Sequence, residues 1–323
     1  MNELKVVLIT PELVQSLMPP RNILSRKGDN GIVLVVGGSG LYHGAPILSS
    51  LSALRSGVDL VYTAIPRSNV FAARSYSPDI IVLPLPRDNL TIGSARRLLK
   101  ILPKIPDAAA IGMGMALETP EALVYLVNEL KNKGVKLILD ASALIPEILP
   151  FISKTNTIVT PHPGEYKRLF QVENGDTNIN TNNDTILKKQ ILAVYNFARK
   201  HGITIILKGY NNIICSGYQE NIAIIKRSTP AMTFGGSGDV LSGLVAGFLA
   251  KKMQPFDVSV LGVYFNGIAA DLSYQRVGLH MTATDLIDDL PNAIKSYDEI
   301  KNSIYCNAMQ YKNLLNTYYR FDI

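Results

Sequence analysis

The stretch Gly235-Gly236-Ser237-Gly238-Asp239-Val240-Leu241 sets a glycine-rich turn and one carboxylate where a helix is about to begin. Beyond Asp239, the apolar residues Leu241, Leu244, Val245, Phe248 and Leu249 recur at i, i+3, i+4 spacing. That period predicts a helix starting between Ser237 and Asp239 and packed along one face. The first amides of such a helix lack partners inside it and carry the positive end of the macrodipole. An anion is therefore stabilised there, provided glycines let the backbone come close. A carboxylate beside a phosphate is electrostatically unfavourable, so Asp239 needs a reason for its place. Attack on a substrate hydroxyl as a general base is one; a plain acidic residue in the first turn of a helix is the other. The segment alone leaves both open.

Upstream of this turn, apolar runs rich in β-branched residues recur at Ile32–Val36, Leu60–Ala64, Ile80–Leu83, Leu137–Leu139, Thr157–Val159 and Ile203–Leu207. Helix-length segments separate several of them, which predicts an α/β fold: a mainly parallel sheet covered by helices on both faces. One helix is well marked, with Thr119 as its cap, Pro120 in its first turn and Gly134 ending it before a strand at Lys136–Leu139. Ile213–Cys215 and Ile222–Ile225 read as a hairpin around Ser216-Gly217, antiparallel and near a sheet edge. Asn174–Asp184 is polar apart from Ile179 and reads as an exposed loop.

Ligands of open α/β sheets bind at the carboxyl ends of the strands, and four polar groups follow predicted strands. Gly37-Gly38-Ser39-Gly40 leads to Tyr42 and Gly44-Ala45-Pro46 without the spacing of a dinucleotide fingerprint. Asp140 either faces a ligand or caps the next turn. In Thr160-Pro161-His162-Pro163-Gly164-Glu165, two prolines stiffen the backbone around an imidazole. Lys208-Gly209-Tyr210-Asn211-Asn212 offers an ammonium beside a glycine, suited to phosphate or ribose, although a solvated lysine is the commoner case.

Composition bounds the answer. The 323 residues suit one large α/β domain, and 47% hydrophobic content supports a substantial aliphatic core. No apolar run approaches the roughly 18 to 20 residues of a membrane span, and the start Met1-Asn2-Glu3-Leu4-Lys5 lacks a signal-peptide core, so a cytoplasmic protein is expected. Cys215 and Cys306 are far apart and show no ligand spacing with any histidine, so neither a disulfide framework nor a protein metal site is expected. The formal charge of +6 comes from scattered lysines and arginines, which fits small anionic ligands and not nucleic acid.

Taken in order, Lys27-Gly28, Val36-Gly37-Gly38-Ser39, Gly44-Ala45-Pro46, Ile111-Gly112-Met113-Gly114, Leu139-Asp140-Ala141, Thr160–Glu165, Leu207-Lys208-Gly209 and Gly235–Leu241 resemble the ADP-dependent NAD(P)H-hydrate dehydratases, a ribokinase-like, carbohydrate-kinase-related family. The resemblance runs from about Arg26 to about Pro291. It implies a three-layer α/β/α sandwich over 26–296, preceded by a leader over 1–25 and followed by a polar, Tyr-rich extension over 297–323.

The activity implied is transfer of a phosphoryl group from ADP or ATP to the C6 hydroxyl of NADH hydrate or NADPH hydrate, followed by loss of phosphate to restore the reduced cofactor. By position, Asp239 would be the base, and the amides of Gly236, Ser237 and Gly238 would hold the transferring group. Ala45, Gly114 and His162 would line the hydrate's site with Asp239. Lys208, Gly209, Tyr210, Asn211, Asn212 and Gly238 would touch the nucleotide, with Mg²⁺ on its phosphates.

Many relatives carry an epimerase domain ahead of the dehydratase, for which the 25 or so residues before Arg26 are too few; a separate epimerase is expected, as is a homo-oligomer, often a tetramer. The chain departs from the family where Met113 replaces a common proline, Asn212 a threonine and Asn266 a histidine, and where Arg227–Met232 lacks a Gly-Asn pair. These departures leave the preferred nucleotide open. Two rivals stay open as well: a ribokinase-like kinase that releases a stable phosphate ester of a small alcohol, and a nucleotide-binding module without turnover.

Overall fold

A computed structural model describes residues 5–171, 184–227 and 229–301. Ten strands form one sheet, in the spatial order Lys5–Val7, Asn221–Lys226, Asn211–Ser216, Thr204–Leu207, Ile158–Val159, Lys136–Leu139, Ala108–Ile111, Ile32–Val36, Leu60–Pro66 and Ile81–Leu85. Neighbours run parallel except along Asn211–Ser216, which is antiparallel to both strands beside it.

The continuous apolar runs follow from burial on both faces. Along Ile32–Val36, Val33 and Val35 join one core, packed with the helices Gly44–Arg55, Ser237–Ala250, Pro255–Val277 and Ala283–Ile294. Ile32, Leu34 and Val36 join the other, under the helices Ile92–Ile101, Pro120–Asn132, Pro163–Phe170 and Asp184–His201. The result is the expected three-layer sandwich. Among the described residues no helix is long and apolar enough to cross a membrane.

Several expectations are refined. The Ser237–Ala250 helix is buried on every side from Val240 to Ala250, not along one stripe. It is wedged against the Gly44–Arg55 helix, where a Cβ on Gly243 would lie 1.9 Å from the Ser49 carbonyl oxygen. The strand Ala108–Ile111 sits mid-sheet, yet its three alanines carry no β-propensity signal. Thr119 holds the cap position of its helix, but its hydroxyl makes no cap bond to the helix amides. Within the segment expected as a leader, Lys5–Val7 pairs with Asn221–Ala223, and Val14 of the Pro11–Leu17 helix is fully buried. At the far end, the Tyr297 hydroxyl lies 3.0 Å from that of Tyr264, and Ile300–Lys301 pairs with Arg21–Asn22. The expected loop at Asn174–Asp184 lies outside the described residues, save that Asp184 opens a helix.

This topology positions the site. The chain lays strands outward from Ile32–Val36 on one side, then returns to add Ala108–Ile111 on the other. The carboxyl ends of these two strands flank the switch point, where open α/β sheets hold ligands.

Candidate active site

At the switch point the strand-end loops touch through glycine. A Cβ on Gly37 would fall 2.3 Å from the Met113 carbonyl oxygen, and one on Gly112 2.0 Å from that of Asp140. The Gly38 amide donates to the Met113 carbonyl at 2.9 Å, which locks the two loops together. Ala45 and Gly114 meet here: a Cβ on Gly114 would stand 3.1 Å from that of Ala45 and 2.9 Å from that of Tyr42.

The Ser237–Ala250 helix begins at Gly236, whose φ of 100° suits glycine, and no side chain caps it. The hydroxyl of Ser237 turns back to the Met232 and Phe234 carbonyls, both at 3.3 Å. What Ser237 and its glycine neighbours present is therefore their orphan amides. A Cβ on Gly238 would lie 3.3 Å from Lys208 Nζ, so the ammonium stands directly over the turn.

Lys208 Nζ donates to Asp140 Oδ1 at 2.8 Å and lies 3.7 Å from Glu165 Oε2. Asp140, 2% exposed, also accepts from the Ser242 hydroxyl at 2.6 Å and from the Ala141 amide at 2.9 Å. It thus caps the next turn, as one reading held, and anchors the lysine as well. Burial works against the ammonium of Lys208, but Asp140, Glu165 and Asp239 outweigh it and hold its proton above the ordinary range. Asp239 is raised as well, which for a carboxyl favours the neutral form. Burial first, then the charge of Asp140, raises it to about 7, with Lys208 pulling it down and Glu165 adding to the rise.

His162 occupies the N-cap of the Pro163–Phe170 helix. Its Nδ1 accepts from the amides of Gly164 at 3.0 Å and Glu165 at 3.3 Å, while Glu165 Oε2 accepts from the His162 amide at 2.8 Å. An accepting Nδ1 places the ring proton on Nε2, which stands 3.4 Å from Glu165 Oε1. The stiff Pro-His-Pro segment thus builds a capping box that fixes Glu165 beside Lys208.

A cleft of about 270 Å³ runs from this cluster toward the hairpin. His162, Lys208, Gly209, Asn212, Ser237 and Gly238 all line it. Tyr210 and Asn211 do not. Asn211 is buried on the opposite side of its strand from Asn212, as strand alternation dictates, and Tyr210 offers its carbonyl to the Arg227 amide at 2.7 Å. Ala45 and Gly114 also lie off the cleft, at the switch point. His162 follows a strand two places along the sheet from the one leading to Gly114, roughly 10 Å at ordinary strand spacing.

Sequence reasoning passed over Glu165 and Ser242 as site residues, and met Arg227 and Asn266 only as departures from the family, not as lining of the cleft. Ser242 lies three residues after Asp239, on the same helical face, a signal that was available.

The fold and the uncapped glycine turn with its aspartate define a ribokinase-like α/β protein. A family profile for NAD(P)H-hydrate dehydratases matches residues 33–292, and the chain belongs to that family. It is 48% identical over 90% of its length to the ADP-dependent (S)-NAD(P)H-hydrate dehydratase of Nitrosopumilus maritimus, covering 98% of that protein. Against the bifunctional NAD(P)H-hydrate repair enzyme of Hyperthermus butylicus it is 37% identical, matching 92% of itself and 55% of that longer protein. Among solved structures, the ADP/ATP-dependent NAD(P)H-hydrate dehydratase of Bacillus subtilis, co-crystallised with ATP and Mg²⁺, superposes with a TM-score of 0.73. Identity to it is 26%, with 90% of this chain and 98% of that one covered.

Proposed function

We propose that the chain dehydrates (S)-NAD(P)H hydrate at the expense of a nucleotide, releasing phosphate and AMP from ADP, or phosphate and ADP from ATP. The observation that carries this reading is Asp239 at the mouth of an uncapped helix, its carboxyl raised to about 7. A base with that proton affinity accepts a hydroxyl proton near neutral pH far better than an ordinary aspartate.

In this reading the hydrate's ring lies at the switch point against Ala45 and Gly114, with its C6 hydroxyl toward Asp239. Asp239 takes the hydroxyl proton as the oxygen attacks the terminal phosphorus of the nucleotide. The amides of Ser237 and Gly238 and the Lys208 ammonium receive the charge that builds on the transferring group. The ring nitrogen then supplies an electron pair, the C6–O bond breaks and phosphate departs, leaving a ring iminium that loses its C5 proton to the departing phosphate or to water, which forms the C5=C6 double bond of the reduced cofactor. Phosphate is a good leaving group where hydroxide is a poor one, which is what nucleotide cleavage contributes. His162, on the cleft wall, acts chiefly through the capping box that holds Glu165.

Asp140, Glu165 and Asp239 outnumber the ammonium of Lys208, so nucleotide phosphates need a counter-cation there. No group of three acidic, His or Cys side chains among the described residues is placed to hold a metal by itself, so Mg²⁺ would be carried in on the phosphates, where it would offset charge on the transferring group. A cytoplasmic setting and a homo-oligomer such as a tetramer complete the proposal.

The test is the near-ultraviolet absorbance of reduced nicotinamide after mixing the protein with hydrated NADH, Mg²⁺ and either nucleotide. A nucleotide-dependent rise is expected and names the phosphate donor. Accumulation of a stable phosphate ester without that rise would point to a small-alcohol kinase instead.

A further inference from the structure

One turn beyond Asp239, the Ser237–Ala250 helix carries a polar side chain that has no access to solvent. Ser242 is fully buried, in a stretch from Val240 to Ala250 that is otherwise apolar or glycine. A hydroxyl there forfeits its hydration and needs a partner inside the protein. It donates to Asp140 Oδ2 at 2.6 Å, and the hydroxyl of Thr160, also fully buried, lies 3.5 Å behind it. Asp140 is thereby held at both oxygens. Oδ2 accepts from Ser242, while Oδ1 accepts from the Ala141 amide at 2.9 Å and from Lys208 Nζ at 2.8 Å. The three donors come from the helix, from the turn after Lys136–Leu139 and from the end of Thr204–Leu207, and together they fix the plane of the carboxylate. That plane aims Oδ1 at the same ammonium that stands 3.3 Å from where a Cβ on Gly238 would lie.

Resting on the proposed phosphoryl transfer at this turn, we infer that Ser242 is a positioning residue for that step: by orienting the Asp140 carboxylate it holds the Lys208 ammonium over the amides of Ser237 and Gly238. Ser242 does not line the cleft, so it reaches the nucleotide only through Asp140 and Lys208. An ammonium free to wander still attracts a phosphate, because Coulomb attraction in the ground state tolerates a range of positions. Charge that builds on the transferring group is stabilised best by donors already in place, which need no reorganisation as the reaction proceeds. Loss of Ser242 therefore acts on the rate of the chemical step and spares nucleotide affinity. Removal of Lys208 itself, by contrast, takes away the charge and weakens both.

A double-mutant cycle tests it: single-turnover rates at saturating nucleotide, with hydrated NADH and Mg²⁺, for Ser242→Ala, Lys208→Ala and the double variant, beside nucleotide Kd by titration. Ser242→Ala is expected to lower the rate about fivefold, the net worth of one hydrogen bond, and no further than Lys208→Ala does, with Kd within about twofold of wild type. In the Lys208→Ala background the same substitution should cost less than about twofold, because the group it positions is gone. An equal loss in both backgrounds would mean that Ser242 acts through packing or through Asp239, and overturns the inference; so does an unchanged rate, or a loss confined to Kd. Should Ser242→Ala fail to fold, Ser242→Cys takes its place, since the thiol is of similar size and a weak donor. A loss of about threefold that disappears without Lys208 is then expected, and a wild-type rate overturns the inference. Any of these negative results leaves the dehydratase reading standing, whereas a wild type with no nucleotide-dependent turnover removes that reading and this inference together.

Discussion

At the scale of single residues, the site is organised by charges that cannot all be satisfied at once. Asp239 is raised to about 7 because burial and Asp140 disfavour its anion. As a general base it must be deprotonated to act, so kcat/KM is expected to rise with pH through about 7 and level off above it. An acid limb near the ordinary aspartate range would remove Asp239 from the role. Asp239→Asn should keep nucleotide affinity and lower turnover by about a hundredfold or more, read from single-turnover rates beside titrations. Stability moves the opposite way. A carboxyl raised in the folded state binds more protons there than when unfolded, so its contribution is favourable below about pH 4 and is lost as pH rises toward 7. At pH 8, Asp239→Asn should therefore unfold at higher denaturant, by about 2 kcal/mol, roughly half of what a full three-unit shift converts to. Lys208 pulls the Asp239 carboxyl down. Lys208→Ala should weaken nucleotide binding, lower the maximal rate by a smaller factor, and move the acid limb of the pH profile upward. A limb that stays in place would show that the lysine's charge does not reach the base.

At the scale of elements, helix packing decides what the sequence could and could not reveal. The Ser237–Ala250 helix lies against Gly44–Arg55 at a distance only glycine allows. A Cβ on Gly243 would lie 1.9 Å from the Ser49 carbonyl oxygen and one on Gly247 2.0 Å from the Ser56 hydroxyl. Gly243→Ala is expected to cost at least about 3 kcal/mol, because backbone on both sides must move. Gly93, in the first turn of the Ile92–Ile101 helix, meets nothing nearer than 3.6 Å. Gly93→Ala should stabilise by up to about 1 kcal/mol. Urea midpoints of the two variants check the contrast, and similar shifts would show that helix propensity, not close approach, governs both. Periodicity alone located the Ser237–Ala250 helix and most strands, since each carries a local pattern. It could not locate Ala108–Ile111, whose alanines are chosen for proximity to neighbours and not for strand propensity. Nor could it show that the Ser237–Ala250 helix is buried all round, because burial on the polar-looking side depends on the helices that pack there.

At the scale of the whole molecule, a nearly all-parallel sheet gathers strand ends from distant parts of the chain along one edge. That is why strand-end motifs were legible as a site: Lys208, Gly209, Asn212, Ser237 and Gly238 do share one cleft. Asn266 and Arg227 stood out only as departures from the family; their place on the cleft wall was not legible, because a mid-helix amide and a hairpin end come together only once helix and hairpin face each other across it. The cleft therefore joins the hairpin, the Ser237–Ala250 helix and the Pro255–Val277 helix, segments that have no reason to stay together unless the domain is folded. A nucleotide that binds there binds the native state alone, and its binding energy becomes folding energy. At a hundredfold excess over its Kd, ADP with Mg²⁺ should add about 2.7 kcal/mol of stability. For a chain of this size that is a rise in Tm of roughly 5 °C, followed by thermal denaturation across a nucleotide series. Lys208→Ala at the same nucleotide concentration should show a smaller rise, since it weakens binding while leaving the linkage intact. A rise equal to that of wild type would mean that the nucleotide binds somewhere other than over the Gly236–Gly238 turn.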